Sequence, residues 1–171
     1  NRSNVTLRGA GPGKTIIRRQ YGGGQSMIDF GSGSGPVVSS NIIIRDLTID
    51  QNSTGNGFGL AVTWCRNVLI ENVSFINQNA SSLSALLVGK FAGASDAFEA
   101  HNIRVVNCLF DYSNAPSLAW EVVTVTAGRD VSFEGCRWAG RPSNWPGLTV
   151  YNTEQFRMVN CFVFDAQITY G

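Results

Sequence analysis

The 171 residues, 43% hydrophobic and 15% charged, are a one-domain length with enough apolar material for a sizeable core. Thirteen basic against twelve acidic residues leave a net charge of +1, so neither a nucleic-acid backbone nor an anionic membrane surface is an expected partner. Apolar runs such as Ile42 to Ile44 and Leu86 to Val88 fall far short of the roughly 20 residues that cross a bilayer as a helix.

The first element is Asn4-Val-Thr-Leu-Arg-Gly9, which alternates apolar and polar side chains as a half-buried strand does. Residues preceding it include neither an initiator Met nor an apolar signal-type segment, so the chain is expected to be a fragment of a longer product. Gly9-Ala-Gly-Pro-Gly-Lys-Thr15 follows and ends like a phosphate-binding loop. Its first glycine would have to stand at position 8, which is Arg8, and Ile16-Ile17-Arg18-Arg19 does not open a helix. A glycine-rich turn is therefore expected, and the tracts at Gly22–Gly24 and Gly31–Gly35 also read as loops.

The pattern of the first element returns five times. Copies begin at Asn41, Asn67, Asn102, Asp130 and Gln155, spaced 25 to 37 residues apart, the range of a solenoid repeat. Each is apolar at its second and fourth positions, small at the sixth, and apolar again at the seventh and ninth. The sixth position holds Gly9, Asp46, Asn72, Asn107, Gly135 and Asn160, residue types that tolerate the left-handed backbone of a sharp corner between two strands. A further strand precedes three copies without a gap, at Leu60, Val123 and Leu148. Three strands per coil, one such bend and spacer loops of variable length predict an all-β fold. The form expected is a single-domain, right-handed, single-stranded parallel β-helix over residues 1–171, of about six to seven coils. Its core is predicted to run through Val68, Ile70, Val73, Phe75, Ile103, Val105, Cys108, Phe110, Val131, Phe133, Cys136 and Trp138. Arg45 and Glu71, at the outward fifth position of consecutive coils, should pair.

Cys108, Cys136 and Cys161 share the inward seventh position and are expected to stack as buried thiols, with Cys65 elsewhere. No Cys-x-x-Cys pair exists and His101 is the sole histidine, so zinc is not expected. His101, just before the Asn102 strand, reads as a surface turn residue. No cofactor is expected. Calcium is the one metal that the sparse acidic edge of Asp50, Asp111 and Asp165 would suit, although aspartates at such turns ordinarily serve local hydrogen bonds. Trp120, Trp145, Tyr112 and Tyr151 gather in the second half, where rings could stack on sugar faces, and are the candidate carbohydrate-binding residues.

The opening Asn4-Val-Thr-Leu-Arg-Gly-Ala-Gly-Pro-Gly-Lys-Thr-Ile-Ile17 and the Asn-Val-x-Ile-x-Asn-Val/Cys-x-Phe copies resemble the pectate-lyase-like superfamily of lyases, hydrolases, epimerases and tailspikes along nearly the whole chain. The resemblance implies a substrate lying on the exposed face of the strand before each leading Asn. Here the outward positions of that strand are Ala61 and Thr63, Thr124 and Thr126, Thr149 and Tyr151, none of them an acid or base near neutral pH. Glu121, Asp29 and Lys90 lie near that face and are the residual catalytic candidates. The leading expectation is a structural or polysaccharide-contacting segment of an extracellular, cell-surface or virion-associated protein of tailspike or adhesin type. The alternative is part of a polysaccharide lyase or glycoside hydrolase. Because a solenoid's terminal coils expose strand edges, flanking domains or self-association into a filament or trimer are expected to cover them.

Overall fold

The computed structural model describes residues 3–20, 24, 26–31, 39–54, 56–78, 83–89, 100–114, 121–140, 146–164 and 168–171. The chain opens with β1 (Val5–Arg8), β2 (Ile16–Arg18), β3 (Ile28–Phe30), β4 (Ser39–Asp50), β5 (Leu60–Val62) and β6 (Cys65–Ile76). Next come β7 (Leu86–Gly89), β8 (Ala100–Val106), β9 (Leu109–Asp111), β10 (Val123–Thr126), β11 (Gly128–Glu134) and β12 (Arg137–Ala139). The last four are β13 (Leu148–Tyr151), β14 (Glu154–Val159), β15 (Phe162–Phe164) and β16 (Ile168–Tyr170).

All pairings among these strands are parallel, and each joins equivalent positions of successive repeats, as in Ile42 with Val68, Val68 with Ile103 and Ile103 with Val131. One sheet takes a strand from each coil, in the order β3-β5-β7-β10-β13-β16. The other sheet has ten strands, because β4 and β6 each run unbroken round a corner that separates β8 from β9, β11 from β12 and β14 from β15. This is a parallel β-helix, as the repeat predicts.

The corners are more numerous than the single bend expected from the sequence. The leading residue of all six copies has a left-handed backbone, with φ of 59° at Asn4, 55° at Asn41, 55° at Asn67, 53° at Asn102, 55° at Asp130 and 56° at Gln155. The sixth position turns the same way at Asp46, Asn72, Asn107, Gly135 and Asn160 but not at Gly9, where the glycine-rich turn begins. Trp64, Ala127 and Asn152 add a corner after the six-stranded sheet. Within that glycine-rich turn, the amide of Gly11 donates to Asp46 O and that of Gly13 to Thr48 Oγ1, so these donors are spent inside the fold and not on a phosphate.

Every residue of the predicted core is buried and belongs to one cluster. Inside it, Phe75, Phe110 and Trp138 stack at 5.0 Å between successive ring centroids. The thiols of Cys108, Cys136 and Cys161 are free and form the expected column, each donating to a carbonyl of the preceding coil, although Cys161, on the last described coil, is only partly buried. Arg45 and Glu71 pair across neighbouring coils at 3.1 Å.

Candidate functional site

The six-stranded sheet presents outward the column Asp29, Ala61, Leu87, Thr124, Thr149 and Thr169. This is the face on which the sequence resemblance puts a substrate, and much of it is closed. Ala61 and Leu87 are 2% exposed and Thr149 is 0%. Phe58, Ala61 and Leu87, with Leu83 against them, form a second small apolar cluster on the outside of the sheet, and removing that apolar area from water closes its second and third rungs. The side chains of Ser84 and Thr124 are hydrogen-bonded to each other here.

The candidates meet different fates. Asp29 sits on the first rung of the sheet, while Glu121, itself buried, leads into β10 on the fourth. Three rungs of ~4.8 Å set their strands about 14 Å apart along the axis, more than the roughly 5–9.5 Å that separates the two carboxyls of a glycoside hydrolase. Tyr112 is 3% exposed and lies in the core with its ring against Gly140, so it cannot stack on a sugar. It directly follows β9 and continues the inward step of the alternation set by Phe110. Tyr151 is 43% exposed, at the end of β13. Lys90, Trp120 and Trp145 lie outside the described residues, as does Asp165.

No acidic edge forms from the other two aspartates. Asp50 is fully buried and accepts from Arg18 Nε at 2.7 Å, the Asn52 amide at 2.8 Å and Asn77 Nδ2 at 2.9 Å. Asp111 accepts from the amide and hydroxyl of Ser113. Among the described residues no group of three or more His, Cys, Asp or Glu is arranged to hold a metal. His101 is within β8, beside the corner at Asn102, and not in a loop.

Among the described residues, an open surface lies on the ten-stranded sheet. Two shallow depressions, of about 370 Å³ and about 280 Å³, adjoin along the outer face of β4, β6, β8, β11 and β14 and share Asn102 and Arg104. Their floor is the column Ile43, Leu69, Arg104, Ser132 and Arg157, in register on successive strands. Their wall is the column of leading residues Asn41, Asn67, Asn102, Asp130 and Gln155. Four rungs give this groove a length of about 19 Å along the helix axis.

Left-handed corners at the leading residues aim their side chains along the axis. Asn41 Nδ2 donates to Asn4 Oδ1 at 3.0 Å, Asn67 Nδ2 to Asn41 Oδ1 at 3.1 Å, and Asn102 Nδ2 to Asn67 Oδ1 at 2.9 Å. Each amide keeps a second N–H for a ligand. Arg104 is held by Glu134 at 3.1 Å, and Glu134 also accepts from Ser132 Oγ. The Arg104 hydrogen bond, the Ser132 bond and the charge of Arg157 keep the Glu134 carboxyl below its ordinary pKa despite its partial burial. The recurring Asn was visible in the sequence as the start of four of the six copies, with Asp130 and Gln155 in its place in the last two. Missing was the knowledge that it is itself a corner, and so faces out.

No family model matches the chain, and no curated protein matches it. Among solved structures, the chain is similar to a Parabacteroides merdae protein provisionally named a glycosyl hydrolase, at 16% identity and a TM-score of 0.49 over 95% of this chain and 75% of that one. It is also similar to the A-module of the mannuronan C-5 epimerase AlgE4 from Azotobacter vinelandii, at 19% identity and a TM-score of 0.44 over 94% of this chain and 61% of that one. Likenesses of this size do not bear on activity.

Proposed function

We propose that this chain is a polysaccharide-contacting β-helix segment that binds a linear glycan along the groove of the ten-stranded sheet. The observation that carries the reading is the groove's repeat: polar side chains stand on every rung for about 19 Å, an amide at Asn41, Asn67, Asn102 and Gln155 and a carboxylate at Asp130, with guanidinium groups at Arg104 and Arg157, over a floor that begins with the aliphatic Ile43 and Leu69. A polymer of sugar rings offers the matching surface, hydroxyls at its edges and C–H groups on its faces. Such a role belongs outside the cell, at a cell surface or on a virion, where polysaccharide is met.

Binding without bond cleavage is the form of the proposal. The strands of Glu121 and Asp29 are about 14 Å apart along the axis on a partly closed face, which leaves the two carboxyls without a shared scissile bond. Affinity electrophoresis through gels containing galactomannan, xyloglucan, dextran, polygalacturonate or polymannuronate should show retardation by at least one polymer. No unsaturated or reducing ends should be released. Retardation by none of the five defeats the reading. Release of ends that is lost on Glu121→Gln or Asp29→Asn replaces it with the hydrolase or lyase alternative.

A further inference from the structure

The asparagine ladder breaks between Asn102 and Asp130. Below the break each amide donates to the carbonyl oxygen of the rung beneath, from Asn102 down to Asn4. On the rung above, a carboxylate stands where an amide would be, and a carboxylate has no proton to give. Asn102 Oδ1 is therefore left without a donor, facing a carboxylate that also lacks one, and the side chain of Gln155 above makes no hydrogen bond to either. Two acceptors on adjacent rungs, ~4.8 Å apart along the axis, thus face outward without a donor between them. Both line the larger depression, together with Arg104, Ser132, Gln155 and Arg157 among others.

The charges around this break cancel. Arg104 and Arg157 are matched by Asp130 and by Glu134, which bonds Arg104 and feels the charge of Arg157. Elsewhere on the ten-stranded sheet, arginines pair with carboxylates across neighbouring rungs, Arg45 with Glu71 and Arg129 with Glu154. An acidic polymer would have to displace Glu134 from Arg104 and pass the bare charge of Asp130, whereas an uncharged one meets no net field. Asn102 Oδ1 and Asp130 call for two donors, and the guanidinium of Arg104 beside them offers N–H groups to ring and hydroxyl oxygens.

Resting on the glycan-binding reading above, we propose that the groove takes an uncharged polysaccharide, with two neighbouring sugar hydroxyls donating to Asn102 Oδ1 and the Asp130 carboxylate at the break in the ladder. A hydrogen bond to a charged acceptor contributes enough that losing it should weaken binding by about tenfold or more. Asp130→Asn restores the ladder: its amide can donate to Asn102 Oδ1, and asparagine suits the left-handed corner. This variant should melt at a higher temperature than the parent and yet lose retardation by the neutral polymers. Asp130→Gly keeps the corner and removes the carboxylate, and should also lose binding. Asn107→Gly, at a corner of another column, should bind as the parent does.

The same gels distinguish failure here from failure of the broader reading. Parent protein retarded by galactomannan, xyloglucan or dextran, with both Asp130 variants retarded equally, sinks the assignment to the break and leaves glycan binding standing. Retardation by polygalacturonate or polymannuronate alone overturns the uncharged class. Binding abolished by EDTA shows that the two oxygens hold a cation and overturns the hydroxyl assignment. Retardation by no polymer removes both proposals.

Discussion

Trp138 has no surface exposed to solvent, with the ring of Phe110 5.0 Å away and that of Phe133 5.6 Å away. Trp138→Ala should therefore cost about 3–5 kcal/mol in urea unfolding, the usual range for emptying an aromatic site. Arg45 and Glu71 approach to 3.1 Å, yet remain 38% and 30% exposed, and a double-mutant cycle should return at most about 1 kcal/mol for their pair. Asp46 offers a test by titration. Its carboxyl is held below the ordinary value chiefly by the hydrogen bond from Asn72 Nδ2, against a smaller opposing effect of desolvation and with help from Arg45 and Arg8. A carboxyl depressed in the folded state contributes stability that is complete above its unfolded pKa of about 4 and is lost as pH falls through the lower folded value. Asn72→Gly removes the amide and keeps the corner, so the Asp46 pKa read by carbon NMR should climb; no change would assign the depression to the arginines. Thiol reactivity should separate as well. Burial, aided by Asp29, pushes the Cys65 thiol up to about 12, whereas Cys161 is only half-buried, and iodoacetamide at pH 8 should label Cys161 well before Cys65.

Corners are what turn short strands into coils, and their chemistry is local. Gly89 has φ of 92°, and a methyl added there would collide with the carbonyl oxygen of Thr126 on the next coil. Backbone cannot move aside as a side-chain end can. Gly89→Ala should thus destabilise by at least about 1–3 kcal/mol, the cost of a strained backbone, before the collision is counted. By contrast, Asn107 at φ 52° is exposed; Asn107→Gly should be nearly neutral, while Asn107→Val should cost about 1–2 kcal/mol because its branched Cβ resists the left-handed region. Equal unfolding midpoints for the two Asn107 variants would show that the corner tolerates any residue. The strands and the sixth-position corners were legible because alternation and αL-tolerant residues leave a mark in one dimension. Corners at Trp64 and Ala127 were not, since neither residue type advertises a left-handed backbone and only the closure of the coil imposes it.

A solenoid is stabilised coil by coil, so protection should follow position along the axis. Coils through β6, β8 and β11 are covered on both sides, whereas Phe162 and Tyr170 on the last described coil are 57% and 68% exposed. Amide hydrogen exchange should be slowest in β6, β8 and β11 and fastest in β14 to β16; uniform protection would mean that the molecule opens as a single unit. Read at this scale, the repeat alone determined the parallel β-helix, its inward columns from Val68 to Trp138, the thiol stack and the Arg45–Glu71 pair, because each depends only on residue spacing and a period of two. Tertiary structure decided where an open surface remains. Phe58, Leu83 and Leu87 close part of the face that the strand pattern left open, Tyr112 turns into the core, and the leading asparagines form the wall of a groove on the other sheet. Those outcomes depend on which residues from distant rungs come together and on the hand of a single backbone angle, and neither is written in the order of the residues along one repeat.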